Sequence, residues 1–63
     1  MPGLRQRRYE RGLSIVDLEA KSGVAFSTIS RLENGKQGAQ MRTVRRLADA
    51  LGVEIADLIR EQT

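Results

Sequence analysis

Four glycines, Gly12, Gly23, Gly35 and Gly52, cut the chain into segments too short for anything but brief helices. Each follows a stretch with helix-compatible spacing, where a residue that tolerates a left-handed turn ends the helix. No apolar–polar alternation of the kind a half-buried strand needs competes with this pattern. The first segment, about 3–11, follows Pro2 and offers Leu4, Arg8 and Tyr9 on one side. The second, about 14–21, opens with Ser14 as N-cap, with Asp17 three residues on to return the hydrogen bond and Leu13 placed to pack on Leu18. The third, about 26–33, turns Ile29 and Leu32 inward and leaves Ser27, Ser30 and Arg31 pointing out. The fourth, about 41–51, carries the longest apolar stripe, Met41, Val44, Leu47, Ala48 and Leu51, and Val53, Ile55, Leu58 and Ile59 form a last amphipathic turn or two. The expectation is an all-α, compact five-helix arrangement, a single domain over residues 1–63, with the Met and Leu stripes as its core.

The size of the chain and its missing residue types narrow the function. With 63 residues a chain hides only about 60% of its unfolded surface, so an enclosed substrate cavity is not expected and function belongs on the surface. There is no His and no Cys, which removes the usual metal ligands, the neutral-pH proton shuttle and the thiol nucleophile. Ser and Thr are present, but no base is positioned to activate them, and scattered acids on short helices build no paired-carboxylate site. The reading is therefore not an enzyme, with no cofactor and no small-molecule substrate. No apolar run approaches the roughly 18 residues of a membrane span, and the absence of Cys suits a reducing compartment, so a soluble, cytoplasmic protein away from membranes is expected.

The net charge of +3 is unevenly spread. Residues 1–11 hold four Arg against Glu10, and residues 31–46 hold Arg31, Lys36, Arg42, Arg45 and Arg46 against Glu33, while residues 47–63 sum to −3. A basic middle points to a polyanion at one face, against the plainer reading of a solvated mixed-charge surface. The two short segments 14–21 and 26–33, joined by a tight turn at Gly23, form the arrangement that sets a second helix in the major groove of DNA. The unit spans about 14–33.

The stretches GLSIVDLEAKSGVAFSTISRLENGK and TVRRLADALGV, in that order, resemble the Cro/repressor-type, or Xre, helix-turn-helix family. The resemblance covers residues 4–60 and implies a lambda-repressor-like fold that binds double-stranded DNA. It implies that the third helix reads base edges, with Phe26, Ser27, Ser30 and Arg31 as the base-facing positions. Arg31 is the strongest of these, since a guanidinium bonds O6 and N7 of guanine together; a phosphate contact or a surface ion pair is its other reading. Phosphate contacts fall to Thr28, Asn34, Lys36, Arg42 and Thr43, with partial burial an equal reading for Thr28, and Arg45 and Arg46 either extend this edge or only solvate it. The family's structural ion pair falls on Arg8 and Glu33, against an alternative in which Arg8 touches DNA.

Ile15, Glu19, Ala25 and Phe26 depart from the family's pattern. Ile15 and Phe26 stand where polar residues are usual, so Phe26 meets a thymine methyl, folds back onto Ile15 or Val24, or marks a protein-binding patch. Glu19 stands where the helices pass closely and a small residue is usual, so it must bend to solvent or part the helices. Ala25 replaces the Ser or Thr cap of the third helix and leaves its N–H groups to water or phosphate. The function implied is a transcriptional regulator, most simply a repressor acting as a homodimer on a two-fold symmetric operator. The alternative is an antitoxin or interaction module that turns the same surface to a protein partner.

Overall fold

The helix starts follow from local chemistry. In the computed structural model, which describes residues 1–35 and 40–59, Ser14 Oγ accepts from the Asp17 N–H at 3.0 Å and the Asp17 carboxylate accepts from the Ser14 N–H at 3.0 Å. This reciprocal cap starts α2, Ile15–Ser22, and holds the Asp17 carboxyl below the usual carboxylate range through the backbone and hydroxyl hydrogen bonds of Ser14. Gly23, at φ 74°, ends it in the left-handed region, where a Cβ would be strained. Within the turn, the Ser22 hydroxyl donates to the Leu18 carbonyl at 2.7 Å and accepts from the Val24 N–H at 3.1 Å, so both backbone groups stay satisfied.

The remaining helices are α1, Pro2–Glu10, α3, Phe26–Glu33, α4, Met41–Leu51, and α5, Ile55–Ile59, giving five helices and no strand among the described residues. α2 packs on α3 and α4, α1 on α3 and α5, and α4 on α5. Leu4, Leu18, Ile29, Leu32, Leu47, Leu51 and Leu58, at least one from every helix, meet in one fully buried cluster. Each such side chain contributes about 1.5–3 kcal/mol relative to staying in water.

Met41, assigned to the core from spacing, and Tyr9, placed on one side of α1 with Leu4 and Arg8, both lie largely exposed. Met41 is 57% exposed because it opens α4, a full turn before Val44 reaches the core, and Tyr9 is 66% exposed because the buried side of α1 is completed by Arg8. Tyr9 instead lies beneath the Arg8 guanidinium, 4.7 Å from its ring centre.

One close approach sets the position of α1. A Cβ built on Gly3 would collide with the backbone carbonyl oxygen of Asp57. The absence of a side chain at this point lets α1 lie directly against α5. No helix among the described residues is long and apolar enough to cross a membrane.

Candidate nucleic-acid interface

α3 presents two faces. Ile29 and Leu32 are buried, Phe26, Ser27 and Arg31 are exposed, and Thr28 and Ser30 are half-buried between them. Ser27 and Arg31, four residues apart, stand one above the other on the outer side. Arg31 is exposed and, among the described residues, makes no ion pair or side-chain hydrogen bond. Arg42 at the start of α4 is exposed and Thr43 half-buried, and Arg45 and Arg46 are also exposed on that helix. Lys36 lies outside the described residues.

The end of α3 is held by a cluster of charges. Arg8 Nε donates to Glu33 Oε2 at 2.7 Å and Arg8 Nη2 to Glu33 Oε1 at 2.9 Å, a two-pronged pair whose side chains are 7% and 1% exposed. Arg8 Nη1 donates to the Leu13 carbonyl at 2.9 Å, so the guanidinium also ties the segment leading into α2. Every nitrogen of the Arg8 guanidinium is thus engaged inside the fold. Burial pushes the Glu33 carboxyl up, but the hydrogen bonds and charges of Arg8 and then Arg5 outweigh it and hold Glu33 below the usual carboxylate range. The Glu33 hydrogen bond in turn raises Arg8.

Arg5 is a partner that spacing alone had not assigned. Its Nε donates to Glu33 Oε1 at 3.2 Å and its Nη2 to Asn34 Oδ1 at 3.3 Å. Asn34 Nδ2 donates back to the Ser30 carbonyl at 2.8 Å, which caps the last turn of α3 and leaves one amide hydrogen for an outside partner. Arg5 and Arg8 lie three residues apart on one face of α1, and that spacing is the signal that the pair acts together. Arg7 is likewise engaged within the protein, with Glu10 at 3.2 Å and Asp57 at 3.7 Å.

The start of α3 differs from the sequence expectation. Ala25 offers no side-chain cap, but the Phe26 N–H donates to Glu19 Oε2 at 3.0 Å. Glu19 thus reaches across from α2 and satisfies the Phe26 N–H at the start of α3. A carboxylate there also suits the positive end of the helix dipole. An uncapped helix start combined with an acid on the preceding helix was the available clue.

A helix-turn-helix family model matches residues 4–58. The chain belongs to the Cro/C1-type helix-turn-helix family. Among the family's curated members it is 42% identical over 57 residues to the HTH-type transcriptional repressor RghR of Bacillus subtilis, covering 89% of this chain and 42% of that protein. It is 32% identical over 56 residues to the HTH-type transcriptional regulator DdrOP3 of Deinococcus deserti, covering 89% and 43%. It is 38% identical over 52 residues to the HTH-type transcriptional regulator y4dJ of Sinorhizobium fredii, covering 82% and 68%. The chain thus spans little more than two fifths of the length of the first two relatives. No solved structure matches it. In a helix-turn-helix unit of this family α2 and α3 are the paired helices, and the family is one of DNA-binding regulators rather than enzymes.

Proposed function

We propose that the chain binds double-stranded DNA through α3 in the major groove and serves transcriptional regulation, most simply as a repressor that occludes a promoter as a homodimer. The observation that carries this reading is the outer face of α3. Phe26, Ser27 and Arg31 stand exposed on a helix whose opposite side and C-terminal end are locked by the core and by Glu33. Arg31 and Ser30 face base edges there together with Phe26 and Ser27. Thr28, Asn34, Lys36, Arg42 and Thr43 meet phosphates, which fix register without reading sequence. The N-terminal N–H groups of α4, which lack a side-chain cap, add to that anchor. Names of the relatives supply the regulatory role.

Only cationic contacts release counterions, so Lys36 and Arg42 give a log–log salt slope of about −2 per chain on duplex DNA, and about −4 when Arg45 and Arg46 also reach phosphates. Titrating a random-sequence duplex at two salt concentrations tests the reading. Weakening with salt on that slope is the expected result, and little affinity at either concentration would favour a module that docks a protein. Selection from a random duplex pool then tests the dimer, which should recover two-fold symmetric sites with half-sites about 10 base pairs apart.

A further inference from the structure

Two features of the first turn of α3 give the reading above a chemical target. Phe26, the first residue of the helix, is 46% exposed, whereas Ile15 packs on the core. Nearly half of Phe26 thus stays in water after folding and remains available to a partner. The second feature is the bond from the Phe26 N–H to Glu19 Oε2. It fixes the backbone of Phe26 to α2, so the ring is positioned by the helix pair itself. It also fills the positive end of the helix with a carboxylate, where a phosphate would otherwise be attracted. Ala25 and Phe26 bring no side-chain donor or acceptor to this turn. A base edge that meets the Phe26 ring finds an apolar surface, and the apolar group displayed in the major groove is the C5-methyl of thymine.

We propose that Phe26, held in place by Glu19, reads the C5-methyl group of a pyrimidine in the major groove. Thymine carries this methyl in ordinary DNA, and 5-methylcytosine carries the same group in modified DNA. The inference rests on α3 entering the major groove. Phe26 makes the contact, and Glu19 is a positioning residue that touches no base.

The test uses a duplex selected from a random pool, with each thymine in turn replaced by deoxyuridine, which differs only by the missing methyl. At one position in each half-site the wild-type chain should bind thymine about three- to fivefold more tightly than deoxyuridine, the effect of one buried methyl. Phe26→Ala should bind both duplexes equally. Glu19→Gln, which keeps an acceptor for the Phe26 N–H, should retain the thymine preference, and Glu19→Ala should lose most of it. Circular dichroism melting confirms that each variant is folded. Cytosine and 5-methylcytosine at the same position complete the set; a gain from methylation there supports the same contact, and whichever methylated base binds tighter names its source. Equal binding of thymine and deoxyuridine at every position by the wild type overturns the proposal, as does an undiminished preference in Phe26→Ala. Failure of the wild type to bind any duplex with salt dependence is a different result, which removes the DNA-binding reading itself.

Discussion

Arg8 and Arg31 carry the same group in opposite states. Arg8 is buried with every guanidinium nitrogen bonded inside the fold, so it spends its charge on Glu33 and the entry to α2. Removing Glu33 strands that buried cation. Glu33→Ala should therefore cost about 3–5 kcal/mol of stability, measured by denaturant titration, the range expected when one member of a buried pair is deleted. The pH dependence has a definite sign. The folded Glu33 carboxyl sits below its unfolded value, so its contribution is complete above the ordinary carboxylate range and is lost as pH falls through and below it. Melting temperature should drop on acidification, and Glu33→Gln should flatten that dependence while lowering stability at neutral pH. Arg31, facing solvent, should behave in the reverse manner. Arg31→Ala should leave the melting curve nearly unchanged and remove about 1–3 kcal/mol of discrimination at one base pair. Arg42→Ala should weaken all duplexes alike and reduce the salt slope by about one. Equal effects of the two substitutions on selectivity would take the base-reading role away from Arg31.

Among the elements, α2, α3 and α4 were legible in the sequence nearly residue by residue, because apolar spacing, the Ser14–Asp17 cap and the glycine stops all point the same way. Side-chain burial at helix ends was less legible. Met41 continues the α4 stripe by spacing, yet the first turn of a helix projects beyond the neighbours that bury the next one. Contacts between elements were the least legible, since periodicity describes one helix at a time. Glu19 capping α3 and Gly3 admitting α5 both depend on where a second helix lies. Gly3→Ala isolates the second case. Within a helix this exchange ordinarily stabilises by up to about 1 kcal/mol. Here the added carbon meets the Asp57 backbone, which has no side-chain freedom with which to yield. α1 and α5 must part, and a net loss of about 1–3 kcal/mol is expected from thermal or urea denaturation. A gain in stability would mean that the helices are not in contact at that point.

For the molecule as a whole, a chain of this size with one reading helix has a small area to offer a duplex, and two copies on a symmetric site double it. In the proposed homodimer the surface offered for pairing is α5. Ile59 is 53% exposed, Ala56 is exposed and Ile55 half-buried, while Leu58 on the other side belongs to the core. Acidic neighbours oppose pairing where they point outward: Glu54 is exposed, whereas Asp57 is half-buried, accepting from the Glu54 N–H at 3.1 Å and lying 3.7 Å from Arg7. What remains is a small apolar patch too limited for tight association in free solution, where stable interfaces bury about 1,200–2,000 Å². In the proposed dimer, DNA would supply the missing term by holding two copies at high effective concentration. The expected behaviour is a monomer in solution at micromolar concentration and cooperative occupancy of a two-half-site duplex. Ile59→Lys should leave melting temperature and single half-site affinity unchanged and abolish the cooperativity. Sedimentation of the free chain and titration of duplexes with one or two half-sites measure both parts. Unchanged cooperativity in Ile59→Lys would place the pairing surface elsewhere than α5.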